Sequence, residues 1–387
     1  MKKLATIVVA MSLIIMPMNK AYGNDKDKQN TTPMNISSKS AILMDIGSGQ
    51  ILYEKNAHDK LPPASVTKVM TMLLCMEALD AGKIKLDDMV QISDTSASMG
   101  GSQIFLEAGE TQDVNTLLKG IAVASANDAC VAMAEHVAGS VEAFVDMMNK
   151  KAQELGMKDT HFSNTNGLPI DNHYTSAHDI ALMSRELLKH ESINKYLTTW
   201  MDQVVVGKKQ ITVGLANTNK MIKHYQGATG VKTGFTQEAK YCLSASAKRG
   251  DTHLVAATLG AETSPERFKD ASNLLNYGFA NYESVKLCSK DDNLATLTLD
   301  KAEDNKINLV AKEDLSVLIK KGANRDFTKK VKINENPTIP IKKGSVLGEV
   351  KIYQGEKLVG KVDLVNTKDI NKASYLQMLQ RVIDSML

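Results

Sequence analysis

The chain lacks most of what would tie it to a metal, a nucleic acid or a membrane span. It holds four cysteines, Cys75, Cys130, Cys242 and Cys288, among 387 residues. They are scattered, with no C-x-x-C pair and no histidine-rich neighbour, which excludes a zinc framework. Cys75 and Cys130 sit inside apolar helical patterns and read as small buried hydrophobes, and the pairing of the four stays open. An excess of one charge is missing too. The formal net charge is +3, and Lys2, Lys3 and Lys20 all lie in the first 23 residues. Without that segment basic and acidic residues balance, which argues against a nucleic-acid partner. The N-terminal apolar run, Leu4 to Met16, falls short of the roughly 20 residues needed to cross a bilayer. With Lys2 and Lys3 before it and Ala21-Tyr22-Gly23 after it, residues 1–23 read as a secretory signal peptide.

What is present is three short motifs in a telling order: Ser65-Val66-Thr67-Lys68, Ser125-Ala126-Asn127 and Lys232-Thr233-Gly234. A serine hydroxyl is a poor nucleophile near neutral pH and needs a base within hydrogen-bond reach. Residues three apart on a helix share a face, so Lys68 can be that base. Pro62-Pro63 favours a helix starting just there. A nucleophile in a first turn has free N–H groups and the positive end of the helix dipole beside it. A second S-x-x-K, Ser192 to Lys195, lacks the upstream prolines and a K-T-G at suitable distance, and reads as a polar helix end.

The ordered triple resembles the signature of serine penicillin-binding proteins and serine β-lactamases. Asn164-Thr165-Asn166-Gly167-Leu168, followed by His173, Thr175, Ala177 and Asp179, is similar to the low-molecular-mass D-alanyl-D-alanine carboxypeptidases (the S11 peptidase type). So is Arg267-Phe268 with Leu274, Leu275, Tyr277, Gly278 and Phe279. The resemblance runs from about Ser38 to the C-terminus. It implies an α+β fold: a β-lactamase/transpeptidase-like catalytic domain with an antiparallel sheet and a helical subdomain, then a small all-β domain and a C-terminal amphipathic helix.

The chain's own patterns fit that order. Residues 24–37 are polar and read as a flexible leader. The catalytic domain is expected over 38–288, opening on a hairpin around Asp45-Ile46-Gly47-Ser48-Gly49. The nucleophile helix should run from Ala64 to about Asp80. Helical periodicity covers Thr116 to Ala126, Asp128 to Val137, Val141 to Leu155 and Ser176 to His190. Strand signals return at Gln203 to Val213, Tyr241 to Lys248 and His253 to Leu259, before a helix from Pro265 to about Tyr277. That order suggests an antiparallel sheet covered by helices, with the site in the cleft. Residues 289–367 hold six short strand-like runs, which the resemblance makes a β-sandwich stalk. Residues 368–387 place Tyr375, Leu376, Leu379, Val382, Ile383, Met386 and Leu387 on one helical stripe. Such a helix can dock on the stalk or lie in a membrane interface, as similar tails do, and the width of the stripe favours the membrane.

The chemistry expected is attack by Ser65 on the penultimate D-alanine carbonyl of peptidoglycan stem peptides ending D-Ala-D-Ala. Lys68 would be the base, kept neutral by burial and by Lys232 as a second cation. Ser125 would relay a proton to the departing D-alanine, and Asn127 would hold Lys68 and a substrate amide. Lys232 and Thr233 suit the terminal carboxylate, and Gly234 allows a close approach of backbone. The family analogy puts the oxyanion hole at the N–H groups of Ser65 and Phe235. It also offers Arg267 for carboxylate recognition, a surface ion pair being the alternative. No cofactor is expected, and β-lactams should act as covalent inhibitors. A β-lactamase would need a glutamate after S-x-N to activate the deacylating water. None lies between Glu154 and Glu186, so a long-lived penicillin adduct is expected. Transpeptidation and endopeptidase action stay open.

Overall fold

A computed structural model describes residues 34–386. The expected signal peptide and most of the expected leader lie outside the described residues. The leader's last residues do not behave as a loose segment. Ser37 and Ser38 donate through main-chain N–H and hydroxyl to the Asp270 carboxylate at 2.6–3.2 Å. The Ile36 carbonyl accepts from Lys55 Nζ at 2.7 Å. Sequence polarity suggested flexibility there, but a buried carboxylate needs donors, and these serines supply them.

Five antiparallel strands form the central sheet: β1 (Ser40–Asp45), β2 (Ile51–Lys55), β3 (Ala228–Thr236), β4 (Lys240–Arg249) and β5 (Thr252–Ala261). Their order is β2-β1-β5-β4-β3, which leaves the K-T-G strand β3 at the edge. Both faces of the sheet are covered, so β1 is buried along its whole length. Ile42 and Met44 point into the core shared with the helical block. Leu43 points the opposite way with Leu254, against Gly278 of the helix Ser264–Asn281. That helix opens on a capping box: Thr263 Oγ1 accepts from the Glu266 N–H and Glu266 returns a bond to the Thr263 N–H.

The helical block is inserted between β2 and β3. Its central helix, Lys68–Asp80, is buried from Lys68 through Met76. A helix apolar nearly all round belongs in a core, and here Lys68 is the buried charged exception. Around it pack the helices Asn127–Ala138, Val141–Glu154 and Ala177–Leu187. The three helices after residue 126 begin and end within a few residues of their sequence expectation. The segment expected as one helix over 116–126 is instead a short helix, Val114–Lys119, a π-turn, Gly120–Ala124, and a break at Ser125.

Beyond the helix Ser264–Asn281 the chain is β-rich. Strand Tyr282–Cys288 pairs with Leu315–Lys320, a pairing that composition did not signal. A five-stranded sheet follows in the order 293–298, 306–311, 357–366, 346–354, 327–333. Leu309, Val350, Ile352, Val362 and Leu364 fill the core beneath it. The final helix, Tyr375–Met386, is fastened by Arg381, whose guanidinium donates to the carbonyls of Asp300, Ala302 and Glu303 at 2.6–2.8 Å. Tyr375 and Leu376 on the apolar stripe are 81% and 74% exposed. No helix among the described residues is long and apolar enough to cross a membrane.

Candidate active site

Ser65 enters through a strained turn. Ala64, just before it, has φ +48°, a region L-residues other than Asn and Asp rarely occupy. Ala64–Thr67 form a 3-10 turn that runs straight into the α-helix at Lys68. The helix expected from Ala64 thus has a tighter first turn, which still puts residues 65 and 68 on one face. Lys68 Nζ lies 2.9 Å from Ser65 Oγ and 2.7 Å from the Asn166 carbonyl. Ser65 is partly exposed while Lys68 is wholly buried. Burial disfavours the ammonium and pulls the Lys68 amine down to about 8.

The loop carrying Asn166 is bolted to the nucleophile helix. Thr71 Oγ1 donates to the Thr165 carbonyl. The Ser163 N–H donates to His173 Nδ1 at 3.0 Å, so the His173 proton resides on Nε2. From there it is donated to Thr67 Oγ1 at 2.7 Å, and Thr67 donates to the Ala64 carbonyl at 2.9 Å. Burial holds His173 down to about 4, which keeps the ring neutral and this polarity fixed. Gly167 has φ +88°, and a Cβ there would sit 1.9 Å from the Ala64 oxygen. Only glycine fits.

The second motif sits at the break after the π-turn. Ser125 takes the left-handed conformation, φ 64° and ψ 32°, and is buried. Asn127 starts the next helix, its N–H on the Ser102 carbonyl and its Nδ2 on the Gly100 carbonyl, both at 2.7 Å. Asn127 was expected to hold Lys68, and it does not: its amide closes the 100–102 loop, and the Asn166 carbonyl takes the lysine. One turn along, Cys130 is buried, and burial pushes its thiol up despite the charges of Lys68 and Lys232. All four cysteines are buried and free.

On β3, Lys232 is buried, and burial together with the nearby Lys68 pushes its amine well below the ordinary lysine range. Thr233 Oγ1 meets Thr218 Oγ1 at 2.6 Å. A Cβ on Gly234 would lie 2.8 Å from the Pro63 oxygen and 3.1 Å from the Ser65 nitrogen. The close approach anticipated at this glycine is therefore to the nucleophile's own turn. Phe235 is half exposed and stacks on Tyr241 at 4.4 Å between ring centres. Arg267 is buried, which removes the surface ion-pair reading. Its Nη1 donates to the carbonyls of Gly234 at 2.9 Å and Cys242 at 3.2 Å.

Residues 26–263 match the family model described as D-alanyl-D-alanine carboxypeptidase. This chain belongs to that family. Residues 282–372 match the model of the penicillin-binding protein 5 C-terminal domain. The D-alanyl-D-alanine carboxypeptidase DacF of Bacillus subtilis is 43% identical over 384 residues, 99% of this chain and 98% of its own. DacC of Escherichia coli is 33% identical over 356 residues, 90% and 88% of the two chains. The crystal structure of penicillin binding protein 5 from Haemophilus influenzae superposes with a TM-score of 0.69 at 31% identity, covering 88% of this chain and 99% of that one. The β-lactamase/transpeptidase-like fold expected from the motifs is the fold of this family.

Several groups that shape the site escaped the sequence reading. The Asn166 carbonyl is main chain, and no side-chain motif marks it. The Thr67–His173 bond joins positions 106 apart. Thr218 comes from outside every motif. The second S-x-x-K falls across two short turns, Glu191–Ile193 and Asn194–Leu197, consistent with its reading as a helix end. Substituting Gly167 with Ala should force the loop away from Ala64 and loosen the Asn166 contact to Lys68. We expect about a 100-fold loss of kcat/KM for D-alanine release, the scale set by ångström misplacement of catalytic groups. Thermal unfolding should shift downward in the same variant.

Proposed function

We propose that Ser65 cleaves the terminal D-alanine from peptidoglycan stem peptides ending D-Ala-D-Ala, through an acyl-enzyme. The observation that carries this is the buried Lys68 amine, 2.9 Å from a reachable Ser65 hydroxyl. The hydroxyl proton passes to Lys68 as Oγ bonds to the carbonyl carbon. The oxyanion is held by the N–H groups of Ser65 and Phe235, which Gly234 allows to approach. As the C–N bond breaks, a proton returns through Ser125 to the leaving amine. Water then attacks the ester and regenerates Ser65.

Two buried amines that lower each other's affinity for a proton favour a single shared charge. A substrate carboxylate beside Lys232 and Thr233 draws the proton to Lys232 and leaves Lys68 neutral for its role. The substrate backbone would extend the sheet along the open edge of β3. Near Lys68 the 163–173 loop presents a carbonyl, which accepts but cannot abstract a proton, so β-lactams should acylate Ser65 and stay. The catalytic unit, residues 38–288, would stand on the 289–367 stalk. Export would place it at the outer face of the cell membrane, with residues 368–387 in the interface. The exposed stripe on the last helix supports that anchor.

Ser65→Ala should abolish both D-alanine release and the penicillin adduct seen by intact-mass spectrometry; an adduct in that variant puts the nucleophile elsewhere. The second-order acylation rate constant at subsaturating ligand, which reports the free protein, should climb roughly tenfold per pH unit below about 8 and level off above, because only the neutral Lys68 amine is a base. A flat profile from pH 6 to 9 removes Lys68 from that role. Deleting residues 370–387 should move the protein from the pelleted membrane fraction to the supernatant; a truncated protein that still pellets with membranes refutes the anchor.

A further inference from the structure

We propose that Arg267 is a positioning residue that aims the Phe235 N–H at the oxyanion, by gripping the carbonyl on the far side of the same peptide. This deepens the acyl-transfer reading and rests on it. A trans peptide points its C=O and its N–H in opposite directions, and the Gly234–Phe235 bond is not among the cis bonds of the described residues. Fixing the Gly234 oxygen therefore fixes where the Phe235 hydrogen points. Arg267 Nη1 lies 2.9 Å from that oxygen.

A second set of contacts converges on the same residue. The Arg267 guanidinium lies 5.2 Å from the Tyr241 ring centre and 4.8 Å from that of Phe268. Tyr241 in turn stacks on Phe235. The arginine thus braces residue 235 through the preceding carbonyl and through the aromatic pair. Its other acceptor, the Cys242 carbonyl, sits where the β4–β5 register shifts between Tyr241 and Leu243. One nitrogen, Nη1, serves both carbonyls, and the planar guanidinium holds its direction through Nη2 and the ring contacts, which a freely rotating ammonium lacks. The capping box at Thr263 and Glu266, with Ser264 Oγ 3.4 Å from Nη2, sets the height from which Arg267 reaches.

No carboxylate pairs with Arg267 among the described residues, and its Nε is buried without a partner. A direct contact to the substrate carboxylate is thus the rival role, and the two separate cleanly. The test measures kcat and KM for Arg267→Ala and Arg267→Lys on two substrates. One is a peptide ending D-Ala-D-Ala; the other is an activated N-acyl-D-alanine thioester without a carboxylate. If Arg267 aims the oxyanion donor, kcat falls by a similar factor on both, about 10- to 100-fold, below the full loss of one donor. KM should stay within about twofold, and added guanidinium should restore part of the Arg267→Ala loss. A loss confined to the carboxylate-bearing peptide, or one in KM alone, overturns the proposal in favour of direct recognition. Unchanged kcat on both substrates overturns it outright. If Arg267→Ala does not fold, Arg267→Lys carries the same comparison, with a smaller loss in kcat expected. The Ser65 adduct is followed in parallel: slow formation in the variants supports the role. Failure of the unaltered protein to acylate at Ser65 would instead remove the serine reading, and this role with it.

Discussion

The structure is organised around one amine that has no business in an apolar helix. Lys68 opens a segment whose next eight residues are all buried, and a lysine there must be neutral or well partnered. The fold does both in part. It removes water, which weakens the ammonium, and it offers two oxygens, the Ser65 hydroxyl and the Asn166 carbonyl. One of those oxygens is the proposed nucleophile. Poor solvation of the charged form would then make the group a base at ordinary pH, and the same burial keeps it next to that hydroxyl.

Most other oddities near the site follow from holding that amine. The Asn166 carbonyl arrives only because its loop crosses the Ala64 oxygen at a distance where no side chain fits, hence Gly167. The loop keeps its place through His173, whose depressed basicity fixes a one-way chain of donors ending on Ala64. On the opposite side Gly234 lets β3 approach the turn that carries Ser65. Lys232 adds a second buried amine, weakened by burial and by the nearby Lys68. Under the proposed function, a ligand carboxylate seated beside Lys232 would decide which of the two amines stays neutral, so that recognition and activation of the base become one electrostatic event.

Motif spacing carried the chemistry well because it reports side chains. Lys68 reaches Ser65 as their spacing implied, and the helices after residue 126 fall close to their hydrophobic periods. The run expected as a strand over 203–213 is instead split into a separate hairpin, Met201–Val206 with Ile211–Ala216. The pattern failed wherever the partner is main chain or comes from far along the sequence. Asn127 looked suited to hold Lys68, yet a carbonyl does so, and any residue type provides a carbonyl. Arg267 stood between carboxylate recognition and a surface ion pair, because nothing local reveals that its helix packs on the sheet beside β3. The break at Ser125 interrupts a continuous apolar period, since helical propensity is a weak prior that tertiary contacts override. Polar composition likewise misjudged Ser37, whose donors answer a carboxylate 233 residues away.

The last helix shows the same logic at the surface. An amphipathic helix folded back on a β module would be expected to bury its apolar stripe. Here the fastening comes from the polar side: Arg381 donates to three carbonyls of the 300–303 turn. On the stripe Tyr375, Leu376, Leu379 and Ile383 stay exposed. A guanidinium on three carbonyls fixes rotation about the helix axis far better than apolar contact, which is non-directional. Under the proposed anchoring, the arginine determines which face meets the lipid, and the stripe determines how strongly. An anchor held this way is an oriented platform rather than a loose tether, so the stalk can set the height of the Ser65 groove above the membrane.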